Sequence, residues 1–230
     1  MKLTPIVSCL VFLSCSCHTA ALQGQKLEDA TTFYSLPVTD TKEETKLPVI
    51  VDGFKKLMLT SEVTDGSVAP LIKELSDNTG LSGYILEINS PGGSVDAGFL
   101  LSKAIENAGV PVYCFVDGDG ASMAFYILQS CTTRAMTKRS VLMVHGPSMS
   151  GQHSGNTSKW LEVGEQLEAI QNAMIEHCGA RLKVPLSFLR HKILLRAWWL
   201  NWQEALGVGA IDGVTSGFNE VLSNAKKLKK

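Results

Sequence analysis

The sequence has little net charge, no apolar run long enough to cross a membrane, and no cysteine–histidine spacing typical of a metal site. Its 21 basic and 22 acidic residues leave a formal net charge of −1, whereas nucleic-acid binding needs a clear basic excess for the phosphates. His177 and Cys178 are adjacent and the remaining histidines are scattered, which does not match the ligand spacing of zinc sites. These absences argue against a metalloprotein and against nucleic acid as the main partner.

The first 21 residues resemble a secretory signal peptide. A lysine precedes a short apolar run, and small residues then lead to Ala21 as the cleavage point; this order is typical of export signals. We expect a periplasmic or secreted protein, with lipid attachment at Cys15 as an alternative and a cytoplasmic location if the segment is not a signal. Residues 22–46 are polar and lack periodicity, which predicts a linker before a folded domain over 47–230.

Three of the six cysteines lie in this leader, and Cys114, Cys131 and Cys178 lie in the domain. Export would permit one disulfide, and Cys114 with Cys131 is then the pair that we expect. One thiol is left over in that case. Buried free thiols at all three positions are the interpretation that the sequence favours.

Short strand-like runs alternate with helical stretches along the domain. The runs are KLMLT (56–60), YILEIN (84–89), PVYCFVD (111–117) and VLMVH (141–145), all rich in β-forming residues and bounded by turn residues. Residues 65–78 and 96–109 have helical spacing, and the second stretch places Phe99, Leu100, Ile105 and Ala108 on one apolar side. This alternation predicts an α/β fold with a parallel sheet and helical crossovers.

Groups suited to acyl transfer follow three of these runs. SPGGSVDAG offers glycine N–H groups, GDGASMA places Ser122 after Gly120 at a strand-to-helix turn, and His145 ends the last run. A serine at such a turn resembles a nucleophile elbow, although serine at a helix start is most often an N-cap. Together the three segments predict a nucleophile, a base and donors for an oxyanion at one edge of the sheet.

In order and spacing, INSPGGSVDAG, GASMAFYIL and VLMVHGP resemble the proteolytic subunit of the Clp protease, within the ClpP/crotonase superfamily. KLMLTSEVTDGSVAPLIKEL and NWQEALGVGAIDGV are similar to that family's first βα unit and closing segment, so the resemblance runs from Lys55 to Val214. It implies the superfamily's fold of repeated ββα and βα units. It also implies a serine endopeptidase without a cofactor, which cleaves peptides or unfolded proteins.

Carried over by position, the resemblance makes Ser122 the nucleophile and His145 its general base. The backbone N–H groups of Gly93 and Met123 would form the oxyanion hole. The resemblance further implies a ring-forming homo-oligomer, in which residues 148–177 take the place of the family's handle as a loop and an amphipathic helix. An ATP-driven unfoldase serves this family, and an exported copy would have no ATP for such a partner.

The match fails at the family's third catalytic residue. The family has an aspartate shortly before the segment that matches WLNWQEA, but Ala197 stands there, and no Asp or Glu occurs from His177 through Gln203. Asn201 could orient the base, but its position does not match. Loss of a triad acid can lower kcat by about 10⁴-fold. The expectations are a weak Ser–His dyad, a carboxylate supplied from elsewhere in the fold, or a pseudoenzyme that acts in assembly or binding.

Two further mechanisms stay open at the level of sequence. One is a Ser–Lys mechanism, as in the superfamily's signal-peptide peptidases, with Lys138 or Lys159 as the base. The other is a crotonase-like enzyme that acts on acyl-CoA, in which Ser122 and His145 have no joint role. The tryptophans of RAWWLNW are interpreted as buried aromatic residues at a subunit interface.

Overall fold

The structure, a computed structural model, describes residues 50–149 and 154–228. The predicted leader and linker lie outside these residues. The strands are β1 (Ile50–Val51), β2 (Phe54–Leu59), β3 (Gly83–Ser90), β4 (Val112–Ala121), β5 (Thr133–Met136), β6 (Val141–Val144), β7 (Trp198–Leu200) and β8 (Gly213–Val214). The helices are α1 (Asp65–Ser76), α2 (Val95–Glu106), α3 (Met123–Gln129), α4 (Thr157–Gly179), α5 (Leu186–Leu195), α6 (Trp202–Gly207) and α7 (Phe218–Leu228).

All eight strands belong to one sheet, which is parallel except at β1 and β7. Its main path is β1-β2-β3-β4-β5-β8, and β6 pairs with the end of β4 on one side and with β7 on the other. Helices connect most of the parallel strands, which confirms the predicted α/β fold with helical crossovers. Among the described residues, no helix is both long and apolar enough to span a membrane.

Alternate side chains of the central strands belong to two apolar clusters on opposite faces of the sheet. Leu86 and Val116 belong to the larger cluster, which α1 to α5 cover, whereas Ile85 and Phe115 belong to the smaller one under α7. This period of two is the pattern expected of strands with both faces buried. The sheet is therefore a rigid support for the loops that follow its strands.

One predicted helix face was wrong in part. In α2, Ile105 is buried and Phe99 is partly buried, but Leu100 is 56% exposed and Leu101 takes the core position. The helix also begins earlier than the sequence suggested, because the Ser94 side chain accepts a hydrogen bond from the N–H of Ala97 and caps it. This shift brings the start of α2 close to the glycine turn that follows β3.

The interpretation of three free buried thiols was also wrong. Cys114 in β4 and Cys131 after α3 form a disulfide, with Cα atoms 5.9 Å apart, while Cys178 is free and buried. Burial raises the pKa of the Cys178 thiol, so this thiol stays protonated and is a poor nucleophile. The disulfide closes a 17-residue separation that contains Ser122 and all of α3.

Reduction of this disulfide is expected to lower the free energy of unfolding by about 3 kcal/mol, because it frees a loop of this length in the unfolded chain. The measurement is urea unfolding of the protein with and without a dithiol reductant. A Cys114→Ala/Cys131→Ala variant should have the same unfolding midpoint in both conditions, and Cys178→Ala should keep the wild-type response. An unfolding midpoint of the wild type that does not change with reductant would contradict the expectation.

Candidate active site

Ser122 forms a sharp turn between β4 and α3. Its backbone has φ 52° and ψ −122°, in the left-handed half of φ/ψ space that non-glycine residues seldom adopt. The turn is held by a hydrogen bond from the Ser122 N–H to the carbonyl of Met143, at 2.8 Å. A backbone in such a region is strained by about 1 to 3 kcal/mol and persists only where the surrounding structure imposes it. This is the geometry of a nucleophile elbow.

The side chain of Ser122 does not serve as a helix cap. Ser122 occupies the N-cap position of α3, but its hydroxyl makes no capping hydrogen bond. Instead its Oγ lies 2.8 Å from Nε2 of His145. The hydroxyl is therefore directed to the imidazole of His145 rather than to the helix that begins after it.

His145 comes directly after β6, the strand that runs parallel to the end of β4. The register pairs Ala121 with Met143, so the residue after each strand end lies near the other. Within the described residues, His145 and Ser122 are the one serine–histidine pair at this edge of the sheet. The hydroxyl of Tyr126 donates a hydrogen bond to the backbone carbonyl of His145, at 3.1 Å.

The glycine turn after β3 lies against the elbow. Gly92 has φ 93° and Gly93 has φ 147°, conformations that favour glycine. A Cβ on Gly92 would lie 2.6 Å from Cβ of Ser122 and 2.7 Å from the N atom of Met123, so a side chain here would collide with the elbow. Only glycine lets the two segments approach this closely.

Two backbone N–H groups at this junction are available to a ligand. Val63 pairs with the turn through hydrogen bonds to Gly92 and Ser94, and these leave the N–H of Gly93 unused. Met123 is the first residue of α3, so its N–H has no acceptor inside the helix. Over residues 50–149 and 154–228 we find no protein acceptor for either N–H. They are the two groups that the sequence predicted as the oxyanion hole.

Among residues 50–149 and 154–228, no carboxylate completes the pair. Strands β6 and β7 are antiparallel, with Val144 opposite Trp198, and continuing this register by one residue places Ala197 opposite His145. In the described part of the chain, no acidic side chain forms a hydrogen bond or an ion pair with His145. Asn201 is occupied elsewhere, because its side chain accepts the N–H of Glu204 and caps α6.

Neither lysine proposed as an alternative base reaches the serine. Lys138 places its Nζ over the ring of Trp202, and Lys159 pairs with Glu162 in α4. The structure thus brings together Ser122, His145 and the glycine turn, and leaves both lysines outside. The described residues also contain no group of three or more His, Cys, Asp and Glu side chains that could hold a metal ion.

A small cavity beside Ser122 and His145 is lined by the apolar side chains of Val95, Pro147 and Met174 and by the polar side chain of Ser148. Among the tryptophans of RAWWLNW, Trp199 is 57% exposed on the single chain, while Trp198 and Trp202 pack partly against the core. Their place at a subunit interface stays a prediction.

One contact of the site was missed at the level of sequence. Tyr126 lies in the run AFYIL, where an aromatic residue at helical spacing indicates a core position, and its side chain is indeed buried. The hydrogen bond from its hydroxyl to His145 depends on how α3 packs against β6. No pattern in the sequence reports that packing.

Comparison with known proteins gives one consistent result. The Clp protease family model matches residues 51–217. Proteolytic subunit 1 of the ATP-dependent Clp protease of Chlamydia abortus is 30% identical over 199 residues, which cover 80% of this chain and 100% of its own length. The same subunit of Protochlamydia amoebophila is 30% identical over 177 residues (74% and 84%), and the proteolytic subunit of Streptococcus uberis is 30% identical over 170 residues (69% and 83%). On this sequence match, and with the α/β fold and elbow described above, the chain belongs to the Clp protease family.

Proposed function

We propose that this protein is a serine endopeptidase in which Ser122 is the nucleophile and His145 is its general base. The observation that carries the proposal is the 2.8 Å hydrogen bond between Ser122 Oγ and His145 Nε2 at a strained elbow. A base within hydrogen-bond distance is what a serine hydroxyl needs to become nucleophilic. Membership of the Clp protease family supports peptide bonds as the target.

In the proposed reaction, Oγ of Ser122 attacks the carbonyl carbon of the scissile peptide bond while its proton moves to Nε2 of His145. The negative charge that forms on the carbonyl oxygen is stabilised by the N–H groups of Gly93 and Met123. His145 then gives the proton to the leaving nitrogen, the C–N bond breaks, and an acyl-Ser122 ester remains. A water molecule, deprotonated by His145, hydrolyses the ester and releases the second product.

The missing carboxylate sets the rate that we expect. With Ala197 opposite the base, nothing among the described side chains fixes the tautomer of the imidazole or stabilises its charged form. We therefore propose a slow Ser–His dyad, about 10⁴-fold below a complete triad.

The proposed setting is outside the cytoplasm. The leader predicts export, and the disulfide between Cys114 and Cys131 supports an oxidising compartment. The three relatives named above are called ATP-dependent, but an exported chain would work without ATP and hence without an unfoldase. We propose peptides and unfolded proteins as substrates, and a homo-oligomeric ring as the assembly.

The test is hydrolysis of a fluorescently labelled unfolded protein and of short peptides by the assembled protein, with no ATP present. We expect slow cleavage of both, which a serine-directed fluorophosphonate abolishes. Lack of cleavage of every substrate by a folded oligomer would reject the proposal. Cleavage that resists the fluorophosphonate would reject the serine mechanism.

A catalytically inactive assembly or binding protein is the second candidate, and the alanine opposite His145 is the observation that favours it. The strained backbone of Ser122 argues the other way, because selection for assembly alone gives no reason to keep this strain. The same assay separates the candidates, since an inactive protein would assemble but would neither cleave a substrate nor react with the fluorophosphonate.

A further inference from the structure

The base of this site lacks one restraint that a complete triad provides. Its only described side-chain hydrogen bond is to Ser122, and Ala197 stands opposite, where a carboxylate could have held the far nitrogen. His145 also lies one residue beyond the last paired position of β6. Its position therefore depends on contacts to its backbone more than in a triad enzyme.

One such contact comes from the helix that carries the nucleophile. Tyr126 lies in α3, four residues after Ser122, which occupies the N-cap position of that helix. Its hydroxyl donates to the carbonyl oxygen of His145, at 3.1 Å. Through this bond, the helix that begins directly after Ser122 also contacts the backbone of His145.

Tyr126 is itself well fixed. Its side chain is 1% exposed and its ring packs edge-on against Phe125. Its own carbonyl accepts a hydrogen bond from Nε2 of His177 in α4, at 3.2 Å. Burial raises the pKa of the Tyr126 hydroxyl far above its usual range, so the hydroxyl remains a donor across the working pH of the protein.

We infer that Tyr126 is a positioning residue for the reaction, which fixes the backbone of His145 relative to Ser122 in place of the restraint that a triad acid would supply. This inference rests on the proposed function. It predicts a loss in the chemical step rather than in substrate binding, because Tyr126 is buried beneath the site and touches the base only through its backbone.

The test uses Tyr126→Phe, which keeps the ring and removes the hydroxyl. The rate of fluorophosphonate reaction at Ser122 and kcat should both fall on the order of tenfold, with KM unchanged, since a small misplacement of a reacting group can lower rates by about 100-fold. The matched control is Tyr84→Phe. Tyr84 is equally buried, and its hydroxyl donates to the carbonyls of Glu74 and Asp77, away from the site. This control should lose similar thermal stability but no activity.

A second arm separates positioning from simple loss of structure. If the Tyr126 hydroxyl replaces the restraint of an acid, removing that hydroxyl should lower the rate less once an acid is present. In an Ala197→Asp background, Tyr126→Phe should therefore lower the rate less than threefold. The two substitutions would then be non-additive. Equal factors in both backgrounds, a wild-type rate for Tyr126→Phe, or an equal loss in Tyr84→Phe would overturn the inference. Failure of the wild type to react at all would reject the proposed function itself, a result distinct from these three.

Discussion

Ala197→Asp is expected to raise kcat by up to about 10⁴-fold, the factor that a triad acid contributes in serine proteases. Continued by one residue beyond the pair Val144 and Trp198, the register of β6 and β7 places residue 197 opposite His145. Side chains at directly opposed positions of an antiparallel pair have Cβ atoms about 5 Å apart, so an aspartate can reach Nδ1 of the imidazole. There it would fix the tautomer in which Nε2 accepts the proton of Ser122, and it would stabilise the imidazolium that forms.

The measurement is kcat for peptide hydrolysis, with Ala197→Asn as the matched control. Asparagine has the size of aspartate but no charge, and an amide in this place can favour the wrong tautomer, so we expect no comparable gain. Equal gains in both variants would mean that added volume, not the carboxylate, is responsible. No gain from aspartate in a folded protein would contradict the claim that the base lacks its partner.

Ser122→Ala and His145→Ala are each expected to lower kcat by only about 100-fold. In a complete triad, loss of the nucleophile lowers kcat about 10⁶-fold and loss of the acid alone about 10⁴-fold. In a dyad that already lacks the acid, loss of the nucleophile should therefore lower kcat by the remaining factor of about 10². Because serine and histidine act as one unit, the double variant should be no slower than either single variant.

The matched control for this series is Ser130→Ala. Ser130 follows α3 and its Oγ lies 3.2 Å from Nε2 of His177, so it is a second serine next to a histidine, at the other end of the helix. Its backbone is helical, with φ −79°, and it lacks the strain of the elbow. We expect wild-type kcat from this variant. A loss in Ser130→Ala equal to that in Ser122→Ala, or additive losses in the double variant of Ser122 and His145, would contradict the dyad.

Much of the site could be predicted from the sequence because its groups follow strand ends. Parallel strands place their carboxyl ends at one edge, so Ser122, His145 and the glycine turn had to lie near one another once the strands were recognised. Gly92 adds a steric reason, since the turn approaches the elbow too closely for any side chain. Local sequence and fold agree at these positions.

The disulfide, the buried face of α2 and the Tyr126 hydrogen bond could not be established from the sequence, because each depends on contacts between elements that no local sequence pattern reports. Cys114 and Cys131 are bridged because the chain that follows α3 returns beside the start of β4, a distance that cysteine spacing does not give. Leu100 is exposed because α2 packs its Leu101 and Ile105 side against the core. The hydrogen bond of Tyr126 depends on the packing of α3 against β6 in the same way.

The most direct test of the account is to treat the assembled protein with a fluorophosphonate and locate the adduct by mass spectrometry of its peptides. The dyad predicts one phosphonylated residue, Ser122, formed slowly in the wild type, faster in Ala197→Asp and not in Ser122→Ala. No adduct in a folded protein, an adduct on another serine, or an adduct on Ser122 that forms as fast in His145→Ala would contradict it.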